Sequence, residues 1–151
     1  MDELTPFERE AIATIVAGDH PVFLGLRNQL AGCQVARREF TGVGFFSTLT
    51  VASDIASVPV RRRLHLGHVD VTMDGVGNGV GLVLFVEDGR LDLLEGFTYG
   101  EPWPSEIVKY TIRSIGGSQS DLEQVNAAWV RPGLPSGTAT DTRTSRDNKR
   151  R

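Results

Sequence analysis

The sequence predicts an α+β fold: an N-terminal helix pair, an antiparallel sheet of five to six strands and a short C-terminal helix. Three observations predict it. Apolar residues recur at helical spacing up to Leu30, the period changes to two from Cys33, and a helix-capping pattern returns at Ser120. Strands that follow one another through short turns pair antiparallel, and helices grouped at the chain's ends then cover a face of the sheet.

Thr5-Pro6-Phe7-Glu8 starts the first helix. Thr5 is the N-cap, Pro6 suits the first helical position and Glu8 closes a capping box. Leu4, Phe7, Ala11, Ile15 and Val16 fall on one face, and Gly18 ends the helix. Asp19 is expected to cap a second helix that opens with Pro21, buries Phe23, Leu26 and Leu30, and stops at Gly32.

Residues 34–40 form an exposed first strand carrying Arg37, Arg38 and Glu39, followed by a turn at Thr41-Gly42. Residues 43–51 form the second, with Val43, Phe45, Leu49 and Val51 on one side. After a loop broken by Pro59, residues 64–73 form a third strand. Its alternation changes phase, because Leu64 and Leu66 have the opposite parity to Val69, Val71 and Met73, which predicts a bulge at Gly67. Asp88-Gly89 is a two-residue hairpin signal, since both residues tolerate positive φ. It pairs Glu87 with Arg90, Val86 with Leu91, Leu84 with Leu93 and Leu82 with Glu95. Residues 107–115 form the last strand, with Val108, Tyr110 and Ile112 facing inward. Ser120 to Glu123 is a second capping box, opening a helix that carries Leu122, Val125 and Trp129.

The length suits one domain, placed at residues 1–131, and 40% apolar content suffices for its core. Residues 132–151 are rich in Gly, Ser, Thr, Asp and Arg and are expected to be a disordered basic tail. That tail holds five basic residues against two acidic ones, a net +3. Residues 1–131 therefore carry −6 of a chain total of −3. An acidic body argues against nucleic acid as a partner. No apolar run approaches the ~20 residues that cross a bilayer, and the acidic start is unlike a signal peptide, so no membrane partner is expected. With a single cysteine, Cys33, the expected location is the reducing cytoplasm.

Three stretches carry a resemblance: the TPFE helix start, REFTGVGFF at residues 38–46, and VLFVEDGRLDLLEGFTYGEPWP at residues 83–104. Across residues 4–113 or so, the chain resembles a family of small bacterial cytosolic proteins of unknown function, related to the immunity proteins of polymorphic-toxin systems. The resemblance implies a toxin-inhibiting protein, and it brings no catalytic residue with it.

The candidate chemistry is sparse. The glycine strings at 42–44 and 75–81 are followed by strands rather than a helix N-terminus and lack a Walker lysine, so they read as turns and bulges. A bulge at Gly67 could gather His65, His68 and Asp70 on one face as metal ligands, but no fourth ligand is evident, and no metal or other cofactor is expected. Cys33 reads as a buried structural thiol, and no serine lies in a nucleophile elbow.

Glu95, Tyr99, Glu101 and Trp103 concentrate two carboxylates and two amphipathic aromatics beside the hairpin. Glu95, opposite Leu82, is either buried or released by a bend at Gly96, and Arg38 or Arg113 could pair with it. These residues, with Arg38, form the candidate binding site of a non-enzymatic protein-binding module. Its partner is another protein, and a basic toxin domain would suit the acidic body. The alternative is a small hydrolase, either metal-dependent through His65, His68 and Asp70 or acid/base through Glu95 and Glu101. Oligomeric state is not legible in the sequence.

Overall fold

Pro6 sits in the first turn of helix α1 (Pro6–Ile15), where its missing N–H costs nothing. Thr5 caps the helix by the predicted box: Thr5 Oγ1 accepts from Glu8 N–H, and Glu8 Oε1 accepts from Thr5 N–H. Helix α2 (Pro21–Leu30) is capped by His20, not Asp19, because the imidazole Nδ1 accepts the N–H of Val22. The computed structural model describes residues 1–115 and 119–131. The predicted basic tail, residues 132–151, lies outside the described residues.

Strands β1 (Cys33–Phe40), β2 (Gly44–Val51), β3 (Leu64–Leu66), β4 (Val69–Met73), β5 (Val76–Glu87), β6 (Arg90–Thr98) and β7 (Tyr110–Ser114) make one seven-stranded antiparallel sheet. The order is β1-β2-β6-β5-β4-β7, and β3 also pairs with β5. Helix α3 (Gln119–Ala128) completes the α+β fold. The strand count exceeds five to six because residues 64–73 form two strands rather than one bulged strand. The break falls at Gly67, where a Cβ would collide with the Leu82 carbonyl of β5.

The core lies on one side of the sheet. Phe7, Ala11 and Ile12 of α1, Val22 and Leu26 of α2, and Val125 and Ala128 of α3 are buried with Val35, Leu49, Leu64, Leu66, Leu82, Leu84 and Leu94 of the strands. Val108, expected to face inward, is 74% exposed, because β7 begins only at Tyr110 and the chain before it runs outside the ladder. Val43 is likewise 47% exposed, one residue short of β2.

The β5–β6 turn forms as predicted, with φ of 52° at Asp88 and 74° at Gly89. Glu87 pairs with Arg90 and Val86 with Leu91, but the next pair is Phe85 with Leu93. Asp92 is an extra residue on β6, a β-bulge that shifts the register by one. Leu84 therefore opposes Leu94, and Glu95 opposes Val83 rather than Leu82. The predicted Leu84–Leu93 and Leu82–Glu95 pairs do not form, and every side chain of β6 beyond the bulge lies on the opposite face from that expected.

Buried Gln29 of α2 holds this bulged turn. Its Nε2 donates to Gly89 O at 2.8 Å and Ala56 O at 3.2 Å, and its Oε1 accepts from Leu91 N–H at 2.9 Å. At the chain's other end, α3 begins at Gln119, so Ser120 lies inside its first turn rather than capping it. Buried Asp121 instead reaches the sheet break, where Oδ2 accepts from the N–H groups of Gly67 and His68, both at 3.1 Å. Gln124 donates to His65 O and accepts from His65 N–H.

Candidate functional site

Glu95, Tyr99, Glu101, Trp103 and Arg38 do not converge on one site. The bulge at Asp92 sends Glu95 to the face of the sheet opposite the helices, while Arg38 and Trp103 lie on the helix side. The two groups make separate surfaces.

On the helix side, Arg38 is spent on Glu8. Its Nε and Nη2 donate to the two carboxylate oxygens at 2.9 and 2.7 Å, a forked charge-assisted pair. Ser47 Oγ adds a third bond to the same carboxylate. Glu8 is only 3% exposed. Burial pushes its carboxyl upward, but the bonds from Arg38, Ser47 and the Thr5 N–H outweigh burial and hold it below the usual carboxylate range. Arg38 in turn is held further into its charged form by Glu8. Neither Arg38 nor Arg113 pairs with Glu95, since Arg113 lies 3.5 Å from Asp70.

Trp103 packs edge-on against Phe45, with centroids 5.2 Å apart, and against Phe7 at 6.4 Å. Its backbone N–H bonds Gly42 O, which ties the 99–104 segment to the β1–β2 turn. These two segments expose Phe40 (69%), Val43 (47%) and Tyr99 (58%). Phe40, Gly42, Gly44, Trp103, Pro104 and Ser105 line a cleft of about 280 Å³ between them. Phe40 ends β1 and Val43 directly precedes β2, so strand periodicity alone reads both as sheet residues and not as part of a surface. The visible signal was two large apolar residues bracketing a Thr-Gly turn.

Glu101 is a brace. Its Oε1 and Oε2 accept from the N–H groups of Gly77 and Asn78 at 2.9 and 2.7 Å, and its carbonyl accepts from the Thr98 hydroxyl. The carboxylate thereby fixes the start of β5 to the 99–104 turn.

On the face away from the helices, strand register builds a three-by-three grid. Phe46, Glu95 and Val83 form the middle row. Thr48, Leu93 and Phe85 form the next on one side, and Gly44, Phe97 and Gly81 on the other. Glu95 is half-buried among these neighbours. The Phe97 ring lies over Gly81, where a Cβ would strike it, and meets Tyr99 edge-on at 5.6 Å. Among the described residues, no helix packs on this face and no cation pairs with Glu95.

His65, His68 and Asp70 are not gathered by the break at Gly67. His65 lies against the Phe85 ring, His68 Nδ1 lies 3.3 Å from Ser120 Oγ, and Asp70 pairs with Arg113. Among the described residues, no three of His, Cys, Asp and Glu come together as a metal site. Burial pushes the Cys33 thiol up to about 11, the wrong direction for a nucleophile. No helix among the described residues is long and apolar enough to cross a membrane. No family model matches the chain, and neither a curated protein nor a solved structure does, so the two surfaces are read on their own geometry.

Proposed function

We propose that this protein is a non-enzymatic module that binds another protein through the surface made by residues 40–43 and 99–104. The observation that carries the reading is the exposure of Phe40, Val43 and Tyr99 on two turns joined by the Trp103–Gly42 hydrogen bond, with a cleft lined by Phe40 and Trp103 between the turns and Tyr99 on the side of Phe97. Aromatic residues on a rigidly supported turn are the usual anchors of protein interfaces. The surroundings of the two carboxylates favour this reading over an acid/base hydrolase. Glu101 is bonded to two backbone amides, and Glu95 lies on the opposite face from the helix-side cleft that Trp103 lines. The immunity-protein resemblance makes the partner a toxin domain, and a body of −6 makes a basic partner the favourable one. A cytoplasmic setting belongs to the same reading.

The test is calorimetric titration against the protein encoded beside this chain. Phe40→Asp and Tyr99→Ser alter exposed side chains; the first should change stability by about 0.5 kcal/mol or less, and the second by up to about 1.5 kcal/mol because it also loses the edge-on contact with Phe97. Each should weaken binding at least tenfold, as loss of an interface anchor does. A neighbour that does not bind the wild type removes the immunity reading. A neighbour that binds wild type and variants equally removes this surface.

A further inference from the structure

We infer that the face of the sheet away from the helices is a second recognition surface, built to receive an arginine side chain of a protein partner at Glu95. The inference rests on the protein-binding reading above but concerns a different surface.

The grid supplies the argument. Glu95 stands at its centre with Phe46 and Val83 directly opposite it on the two neighbouring strands, and Leu93 and Phe97 two residues away along its own. Side chains opposite one another in a sheet have Cβ atoms ~5 Å apart, and residues two apart along a strand lie ~7 Å apart on the same face, so these four apolar groups surround the carboxylate. Three charge pairs at the margins are already matched. Arg37 pairs with Glu39 at 3.2 Å, Arg63 with Glu87 at 3.1 Å, and Arg113 with Asp70 at 3.5 Å. The central carboxylate has no such match among the described residues.

That mismatch selects the occupant. A purely apolar partner covering the grid would strand Glu95 away from water without a counter-charge, which is strongly unfavourable. A second copy placed about a twofold axis through the grid would set carboxylate against carboxylate. A partner that brings a cation satisfies Glu95 and buries the surrounding rings at the same time. Arginine fits better than lysine, because its planar guanidinium can fork onto the carboxylate and also pack against neighbouring aromatic side chains such as Phe46 and Phe97. The face already shows this preference at its edge, where the Arg63 guanidinium lies 4.5 Å from the Phe85 ring centroid while bonding Glu87.

The probe is a short extended peptide alternating valine and threonine with one central arginine, compared with the same peptide carrying citrulline, which keeps the shape and removes the charge. Both are titrated into full-length protein and followed by backbone amide NMR. The arginine peptide should shift residues 46, 83 and 93–97 and bind about tenfold more tightly than the citrulline peptide. Glu95→Gln should erase that difference while leaving the rest of the spectrum intact. Equal affinity of the two peptides, or shifts confined to residues 40–43 and 99–104, overturns the inference. It also fails if replacing Arg143, Arg146, Lys149, Arg150 and Arg151 by glutamine shifts the grid amides without peptide, since the occupant is then the chain's own C-terminal segment. Sedimentation showing a dimer that Glu95→Gln dissociates overturns it in favour of a second copy. Tyr99 touches Phe97 at the margin of the grid, so Phe40, on the helix side, separates the readings: none of these outcomes bears on whether Phe40 anchors the neighbour-encoded protein, and the two readings fail separately.

Discussion

Replacing Gln29 with leucine tests what holds the bulged hairpin. The side chain is fully buried and makes three hydrogen bonds, two as donor and one as acceptor. Removing it does not leave all three partners alone. Gly89 O still accepts from Val58 N–H at 2.8 Å, whereas Leu91 N–H loses its acceptor, since β2 stops pairing with β6 at Thr48–Leu93. A buried orphaned donor costs about 1–3 kcal/mol and each of the two further lost bonds about 1 kcal/mol, while burying the more apolar leucine returns about 1–2 kcal/mol, so the net loss should be about 2–3 kcal/mol. For a chain of this size that lowers Tm by roughly 6–12 °C. Gln29→Glu should cost more at neutral pH, because an oxygen then faces the carbonyls of Gly89 and Ala56 and a charge is buried without a partner. Burial raises the pKa of such a carboxyl, so the glutamate variant should regain stability as pH falls from 7 toward 5, while the leucine variant should not. Urea unfolding monitored by circular dichroism, at pH 7 and pH 5, measures both. A leucine variant within about 0.5 kcal/mol of wild type, or two variants with the same pH response, would refute the role given to Gln29.

Further outcomes follow from the other sites. Arg38→Met leaves Glu8 buried and unpaired and should cost about 3–5 kcal/mol at pH 7, read from chemical denaturation. In the wild type the folded-state pKa of Glu8 is depressed, so its contribution is present above the usual carboxylate pKa and is lost as pH falls below about 4.5 through the folded value. The gap between wild type and Arg38→Met should therefore narrow on acidification, and a constant gap would contradict the ion pair. Glu101→Ala frees the amides of Gly77 and Asn78 and should cost about 1 kcal/mol, with faster hydrogen exchange confined to those two residues and the 99–104 turn. Gly67→Ala should cost more than a surface glycine substitution, about 1–3 kcal/mol, because the added methyl meets the Leu82 carbonyl of the neighbouring strand. Cys33 should react with iodoacetamide at pH 8 only under denaturing conditions, given a thiol pushed up to about 11; rapid labelling of the native protein would contradict its burial.

Elements encoded in adjacent residues were legible. The α1 capping box needs only Thr5 and Glu8, and the hairpin turn needs only Asp88 and Gly89, so both follow from local chemistry. The register beyond Asp92 was not legible, because Leu91 N–H bonds the side chain of Gln29, a residue 62 positions away. One extra residue then inverted the facing of Glu95, and the predicted site divided into two. Buried polar groups failed in the same way. Glu8 reads as a cap in sequence, and only the fold shows that it also receives Arg38 and Ser47. Ser120 mimicked a cap because a Ser-x-x-Glu spacing also occurs by chance inside a first turn.

Asp121 has a consequence for how the chain is made. Translation delivers all seven strands before residue 119 exists, yet the break between β3 and β4 depends on a carboxylate at residue 121 to satisfy two amides. Until that residue leaves the ribosome, the centre of the sheet presents Gly67 and His68 with no internal acceptor for their N–H groups. A nascent chain stalled after β7 would hold all seven strands and still leave the join between β3 and β4, the two strands that share β5, without the acceptor that Asp121 supplies.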